Sequence, residues 1–148
     1  MTTVTFPDPP LTVNEVMLRR WCERDVPAIV VACSDPVTVR FIPNIPTPYP
    51  EKEARDWLAS HERKSAEGCL EMAITRIDTD EVLGAIALRV NASTMSASIG
   101  YWLTPEAGGH GYTTMALRLV CGWLFEVCDL GRIELTTDPG NYASQRVA

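Results

Sequence analysis

Two hydrophobic periods run along this chain, and the switches between them mark out its elements. The clearest stretch runs from Tyr112 to Cys128. There Tyr112, Met115, Ala116, Leu119, Val120, Trp123, Leu124 and Val127 recur at helical spacing and predict a helix lying flat on a sheet. Before it, Ile99, Tyr101 and Leu103 alternate with Gly100 and Trp102 as in a half-buried strand, and Pro105 ends the ladder. After it, Gly131 breaks the helix and Arg132 to Thr137 reads as a strand. That strand is expected to run parallel to the one before the helix, because a helix makes the crossover. Leu70 to Arg76 and Val82 to Val90 are two more strands, joined into an antiparallel hairpin by the polar turn Asp78, Thr79, Asp80 and Glu81. Asn91 to Thr94 turns the chain again.

The N-terminal half is less regular. Met1 to Leu11, with Pro7, Pro9 and Pro10, reads as a loose arm, and Val13 to Trp21 as a first strand. Asp25 is placed to cap a short helix through Ile29, Val30 and Cys33. Five of the eleven prolines fall between Pro36 and Pro50, which predicts a long structured loop. Glu51 and Glu53 then open a helix that puts Ala54, Trp57, Leu58 and His61 on one face and ends near Gly68. His61 is expected to pack there. The elements add up to a mixed, mostly antiparallel α/β sheet flanked by helices.

Composition narrows the class. A chain of 148 residues, 46% of them hydrophobic, can build one ordinary domain with a real core. The formal charge of -6 argues against non-specific nucleic-acid binding and suits a basic peptide or amine as partner. No stretch approaches a membrane span and no signal segment opens the chain, so a cytoplasmic protein without a membrane partner is expected. Five cysteines without a C-x-x-C pair predict reduced thiols, with Cys121 and Cys128 filling core space. Two histidines, His61 and His110, give neither a metal cluster nor a catalytic triad, so no metal is expected.

The chemistry centres on IGYWLTPEAGGHGYTTMALR, residues 99–118. Gly108, Gly109 and Gly111 free the backbone between a strand and a helix. Unpaired N–H donors and the positive dipole end then meet where a phosphate would bind. The loop is not a Walker loop, because Tyr112 follows Gly111 where Lys and then Ser or Thr are needed. Nor does it have the glycine spacing of a dinucleotide fingerprint. The stretch resembles the pyrophosphate loop of the GNAT superfamily of acetyl-CoA-dependent N-acetyltransferases, which follows the pattern Arg/Gln-x-x-Gly-x-Gly/Ala. The flanks IGYWLTPEA and GYTTMALRL are similar to its ribosomal-protein N-acetyltransferase (RimJ/RimL-like) branch. Gly111 fits the pattern. Gly108 stands where Arg or Gln is usual and Thr113 where Gly or Ala is usual.

The resemblance covers nearly the whole chain and implies a GNAT fold with acetyl-CoA as cosubstrate. It implies that the pyrophosphate lies on Gly108, Gly109, His110, Gly111, Tyr112, Thr113 and Thr114. The pantetheine arm is then expected to bond the backbone near Trp102 and Leu103. DPGNYASQRVA at the chain end is similar to the family's asparagine-x-x-serine-x-arginine helix start, which implies that Asn141 contacts the arm and that Ser144 lies near its sulfur as proton donor. Family members continue past this point for a final strand pair, so the resemblance implies a domain truncated at its C-terminal side. An exposed sheet edge there favours a homodimer or swapped strands and weak turnover. The acceptor is expected to be an amine, either a protein N-terminus or a small molecule, with Glu71 and Glu134 the carboxylates to test as base. The alternative is a non-catalytic acyl-CoA-binding or regulatory GNAT-like module.

Overall fold

The computed structural model describes residues 4–36, 45–46, 48–135 and 146–148. Among them six strands form one sheet in chain order: β1 (Leu11–Val13), β2 (Val16–Arg20), β3 (Cys69–Arg76), β4 (Val82–Asn91), β5 (Ser96–Leu103) and β6 (Arg132–Leu135). Every neighbouring pair is antiparallel except β5 and β6, which run parallel. Short turns permit only antiparallel return, whereas α4 (Tyr112–Val127) is long enough to carry the chain back across the sheet. Three further helices, α1 (Val26–Cys33), α2 (Glu51–Ala59) and α3 (His61–Ala66), lie between β2 and β3 in sequence.

Strand alternation sorts the sheet into two cores. One face carries Val16, Leu18, Leu70, Met72, Ile74, Ile86, Leu88 and Ile99 against α4, whose Ala116, Leu117, Val120 and Leu124 are buried. The other face carries Ala73 and Ala85 against Trp21, Val26, Ile29 and Ala54, with Trp57, Leu58 and Trp102 packed around them. Trp21 meets Trp57 edge-on at 5.3 Å and stacks on Trp102 at 6.3 Å. Trp102 therefore anchors β5 to the second core, where alternation alone would have given it to solvent.

Several local expectations change. The first strand is two, because Asn14 takes a positive φ of 50° and the chain turns back between Leu11–Val13 and Val16–Arg20. The arm before it is docked within its described part: Val4 is buried in the α4 core, and the Arg20 guanidinium lies 4.4 Å above the Phe6 ring. Asp25 precedes α1 but makes no capping bond to it. Its carboxylate accepts instead from Arg19 Nη1 and Nη2 at 2.8 and 2.9 Å and from the Cys22 N–H at 2.9 Å. The helix opened by Glu51 breaks at Ser60 into α2 and α3, with Ser60 Oγ donating to the Trp57 carbonyl at 2.6 Å. On α4 the buried stripe is rotated toward Thr113 and Leu117, and Val127 is 51% exposed. The proline-rich segment lies largely outside the described residues, as do Thr136 and Thr137.

Gly84 faces Leu103 in the β4–β5 register. A Cβ there would collide with the Trp102 carbonyl oxygen and lie 2.9 Å from Leu103 Cα. Both obstacles are backbone, so they cannot move aside cheaply. Gly84→Ala is expected to destabilise the fold by about 1–3 kcal/mol through overpacking. Urea unfolding would measure the loss, and an unchanged midpoint would show that the two strands separate without cost.

Candidate active site

The loop between β5 and α4 begins with a single 3₁₀ turn, Pro105–Ala107, closed by the Ala107 N–H donating to the Thr104 carbonyl at 3.0 Å. Gly109 follows at φ 81° and Gly111, the N-cap of α4, at φ 76°, a left-handed region that side chains adopt at a cost. A Cβ on either glycine would meet nothing within 4 Å. The helix ladder starts only with the Met115 N–H donating to the Gly111 carbonyl at 3.1 Å, so the N–H groups of Tyr112, Thr113 and Thr114 precede it. Open space, left-handed glycines and unused donors thus coincide at the positive end of a sixteen-residue helix.

The sequence-expected residues fall around this point in different ways. Gly108, Gly109, His110 and Gly111 are exposed, and Thr114 is half-buried. Tyr112 and Thr113 are buried, so Thr113 faces the core with its side chain and has chiefly its backbone N–H to give a ligand. The Tyr112 hydroxyl accepts from Arg76 Nη1 at 3.4 Å, which brings a guanidinium from the end of β3 to the start of α4. Sequence reasoning gave no hint of that contact, because thirty-six positions separate the two residues. Trp102 and Leu103 close β5, half-buried. Asn141 and Ser144 lie outside the described residues.

The two carboxylates named from sequence sit in different settings. Glu134 on β6 is exposed beside Arg132, whose Nη2 lies 3.4 Å away. Glu71 is largely enclosed: Oε2 lies 3.1 Å from His61 Nε2, and Oε1 accepts from Lys64 Nζ at 3.1 Å. Burial pushes the Glu71 carboxyl up, but the bonds from His61 and Lys64 outweigh it and hold it below the usual glutamate range. Glu71 is therefore ionised at neutral pH. The His61 ring rests edge-on against Trp57 at 4.3 Å, and Lys64 Nζ lies 5.9 Å from the same indole. His61 packs as the pattern implied, but its bond to Glu71 was hidden, since it joins a helix to a strand.

Glu71 also shares a cross-strand row with Ala87 and Gly100. Side chains in that row are a methyl group and none, and the space above Gly100 is open. From Glu71 to β5 this row therefore carries nothing larger than a methyl group.

The sheet order and the looped helix across its single parallel pair define a class, the mixed α/β acyltransferase fold. Residues 15–148 match the family described as an acetyltransferase (GNAT) domain, and the chain belongs to that family. This places it among the N-acetyltransferases. It is 28% identical over 137 residues to p20, an uncharacterized N-acetyltransferase of Bacillus licheniformis, covering 90% of this chain and 76% of that protein. Its fold is similar to that of RimL, a ribosomal L7/L12 α-N-protein acetyltransferase solved with coenzyme A. The TM-score is 0.81 at 19% identity, over 91% of this chain and 77% of RimL. It is also similar to MccE, the microcin C7 self-immunity acetyltransferase, solved with acetyl-CoA and AMP. There the TM-score is 0.83 at 15% identity, over 95% of this chain and 83% of MccE. At these identities the likeness to the two solved structures is one of fold. Among the described residues no helix is long and apolar enough to cross a membrane.

Proposed function

We propose that this chain transfers the acetyl group of acetyl-CoA to a primary amine by direct attack within a ternary complex. The loop carries the reading: Gly109 and Gly111 at positive φ beside open space, with free N–H groups at the start of α4, form a cradle for a pyrophosphate. That RimL and MccE were solved with coenzyme A and acetyl-CoA supports the choice of cosubstrate. In this reading the pantetheine arm adds to β5 near Trp102 and Leu103, and Asn141 contacts it.

The amine nitrogen attacks the thioester carbon, a C–N bond forms and the C–S bond breaks. The acceptor ammonium first gives one proton to a base; after attack the nitrogen loses a second, which replaces the proton that Ser144 hands to the departing thiolate, so the serine ends neutral. Glu71, ionised and at the end of the row of small side chains that leads to β5, is suited to hold the acceptor as its ammonium before deprotonation. Both of its oxygens are engaged, so Lys64 or His61 must yield for the acceptor to bind there. The acceptor is a protein N-terminus or a small amine.

The test is acetyl-CoA-dependent thiol release against a panel of peptides and amines. Release that depends on one acceptor class supports transfer, whereas CoA binding without release from any acceptor would favour the non-catalytic module. A second measurement addresses Gly108, which is exposed and has no positive φ. Gly108→Arg is expected to tighten CoA binding by up to about 3 kcal/mol through a charge-assisted bond. Calorimetry showing unchanged or weaker affinity would mean that position 108 does not reach the cosubstrate.

A further inference from the structure

A cavity of about 360 Å³ opens around the end of β2, lined among others by Phe6, Arg20, Trp21, Leu58, His61 and Glu62. Its volume is at the lower end of the range of about 300–1,000 Å³ for small-molecule sites. Its Arg20 end lies apart from the strand proposed to carry the cosubstrate arm. Arg20 lies in register with Met72, then Ile86, then Tyr101, so three strand spacings, about 14 Å, separate it from β5.

The charges around this cavity are arranged unusually. Arg55 and Glu23, which also line it, neutralise each other in an ion pair. Arg20 and Glu62 do not pair with each other, and among the described residues neither has a partner of opposite charge. Arg20 lies on the Phe6 ring, a contact that leaves its guanidinium N–H groups free to bind an anion. One unpaired cation and one unpaired anion therefore face a single cavity, between walls made by Phe6, Trp21 and Leu58. A ligand that satisfies both ends carries a carboxylate and an ammonium, with an apolar group for the walls.

We propose that this cavity binds a free α-amino acid with an apolar side chain, its carboxylate on Arg20 and its ammonium on Glu62. The fork of the guanidinium matches a carboxylate in bidentate fashion, the ammonium needs only a carboxylate within reach, and the side chain is buried against the aromatic rings. A peptide N-terminus supplies the ammonium but no carboxylate, so this chemistry separates a free amino acid from a chain end. His61 lines the cavity and also bonds Glu71, so an occupant would be in contact with the group that holds that carboxylate.

The experiment titrates the folded chain with L-leucine, with leucinamide, which lacks the carboxylate, and with N-acetylleucine, which lacks the ammonium. Leucine is expected to bind and to shift the imidazole NMR signals of His61, with both analogues at least about tenfold weaker. R20Q and E62Q, at exposed positions, are each expected to weaken leucine binding by about five- to tenfold while CoA binding is unchanged. No leucine binding at millimolar concentration, equal binding of either analogue, or insensitivity to both substitutions would overturn the proposal. Because CoA binding is read separately in the same samples, failure here is distinct from failure of the acetyl-transfer reading.

Discussion

Asp25→Asn is expected to remove about 3 kcal/mol of stability, at the lower end of the roughly 3–5 kcal/mol that breaking a buried ion pair costs. Arg19 is 9% exposed and Asp25 3%, so asparagine would leave a guanidinium enclosed without its main counter-charge. The loss falls at the low end because Arg19 Nε keeps its bond to Asp80 Oδ1 at 3.0 Å. Asp80 in turn receives Arg24, so the cluster ties β2 and the turn before α1 to the β3–β4 hairpin. Urea unfolding would measure the effect, and a loss below about 1 kcal/mol would place this pair with ordinary surface ion pairs.

The same pair gives a pH dependence of definite sign. Burial pushes the Asp25 carboxyl up, but the Arg19 and Cys22 bonds outweigh it and hold it below the ordinary aspartate range. A carboxyl depressed on folding contributes stability that is present above its unfolded pKa of about 3.9 and is lost as pH falls through the lower folded value. Wild-type stability should therefore be flat from neutral pH down to about 4 and fall below it, and Asp25→Asn should have a shallower acid limb. Equal acid slopes in the two proteins would contradict this.

Gly111→Val is expected to lower CoA affinity at least about a hundredfold with little loss of fold. Valine at φ 76° costs about 1–2 kcal/mol, and relaxing that strain rotates the N–H groups that open α4 away from one another. Losing two charge-assisted bonds at about 1.5 kcal/mol or more each gives the hundredfold. The fold should be spared because a Cβ at this position meets nothing within 4 Å. Calorimetric titration with CoA, beside a circular dichroism spectrum, checks both parts, and normal affinity would place the pyrophosphate elsewhere.

Local pattern determined much of this protein. The period of α4, the glycines before it and the hairpin around Asp78 to Glu81 are signals between residues close in sequence, and they carried the sheet class, the parallel β5–β6 pair and the glycine turn that opens α4. The turn at Asn14 was missed, because a single asparagine inside a run of apolar and β-branched residues is a faint turn signal, even though asparagine adopts a left-handed φ more readily than most residues. Only tertiary structure decided which partner each polar side chain took. Asp25 had a nearby helix to cap and instead met Arg19, whose buried guanidinium gains more from a bidentate carboxylate than one helix end gains from a cap. Glu71 met His61 and Lys64 because α3 packs on β3, and Trp102 met Trp21 because α1 and α2 cover that face. Such contacts depend on how elements dock, and hydrophobic periodicity specifies which face of an element is buried but not which residue of another element it will meet.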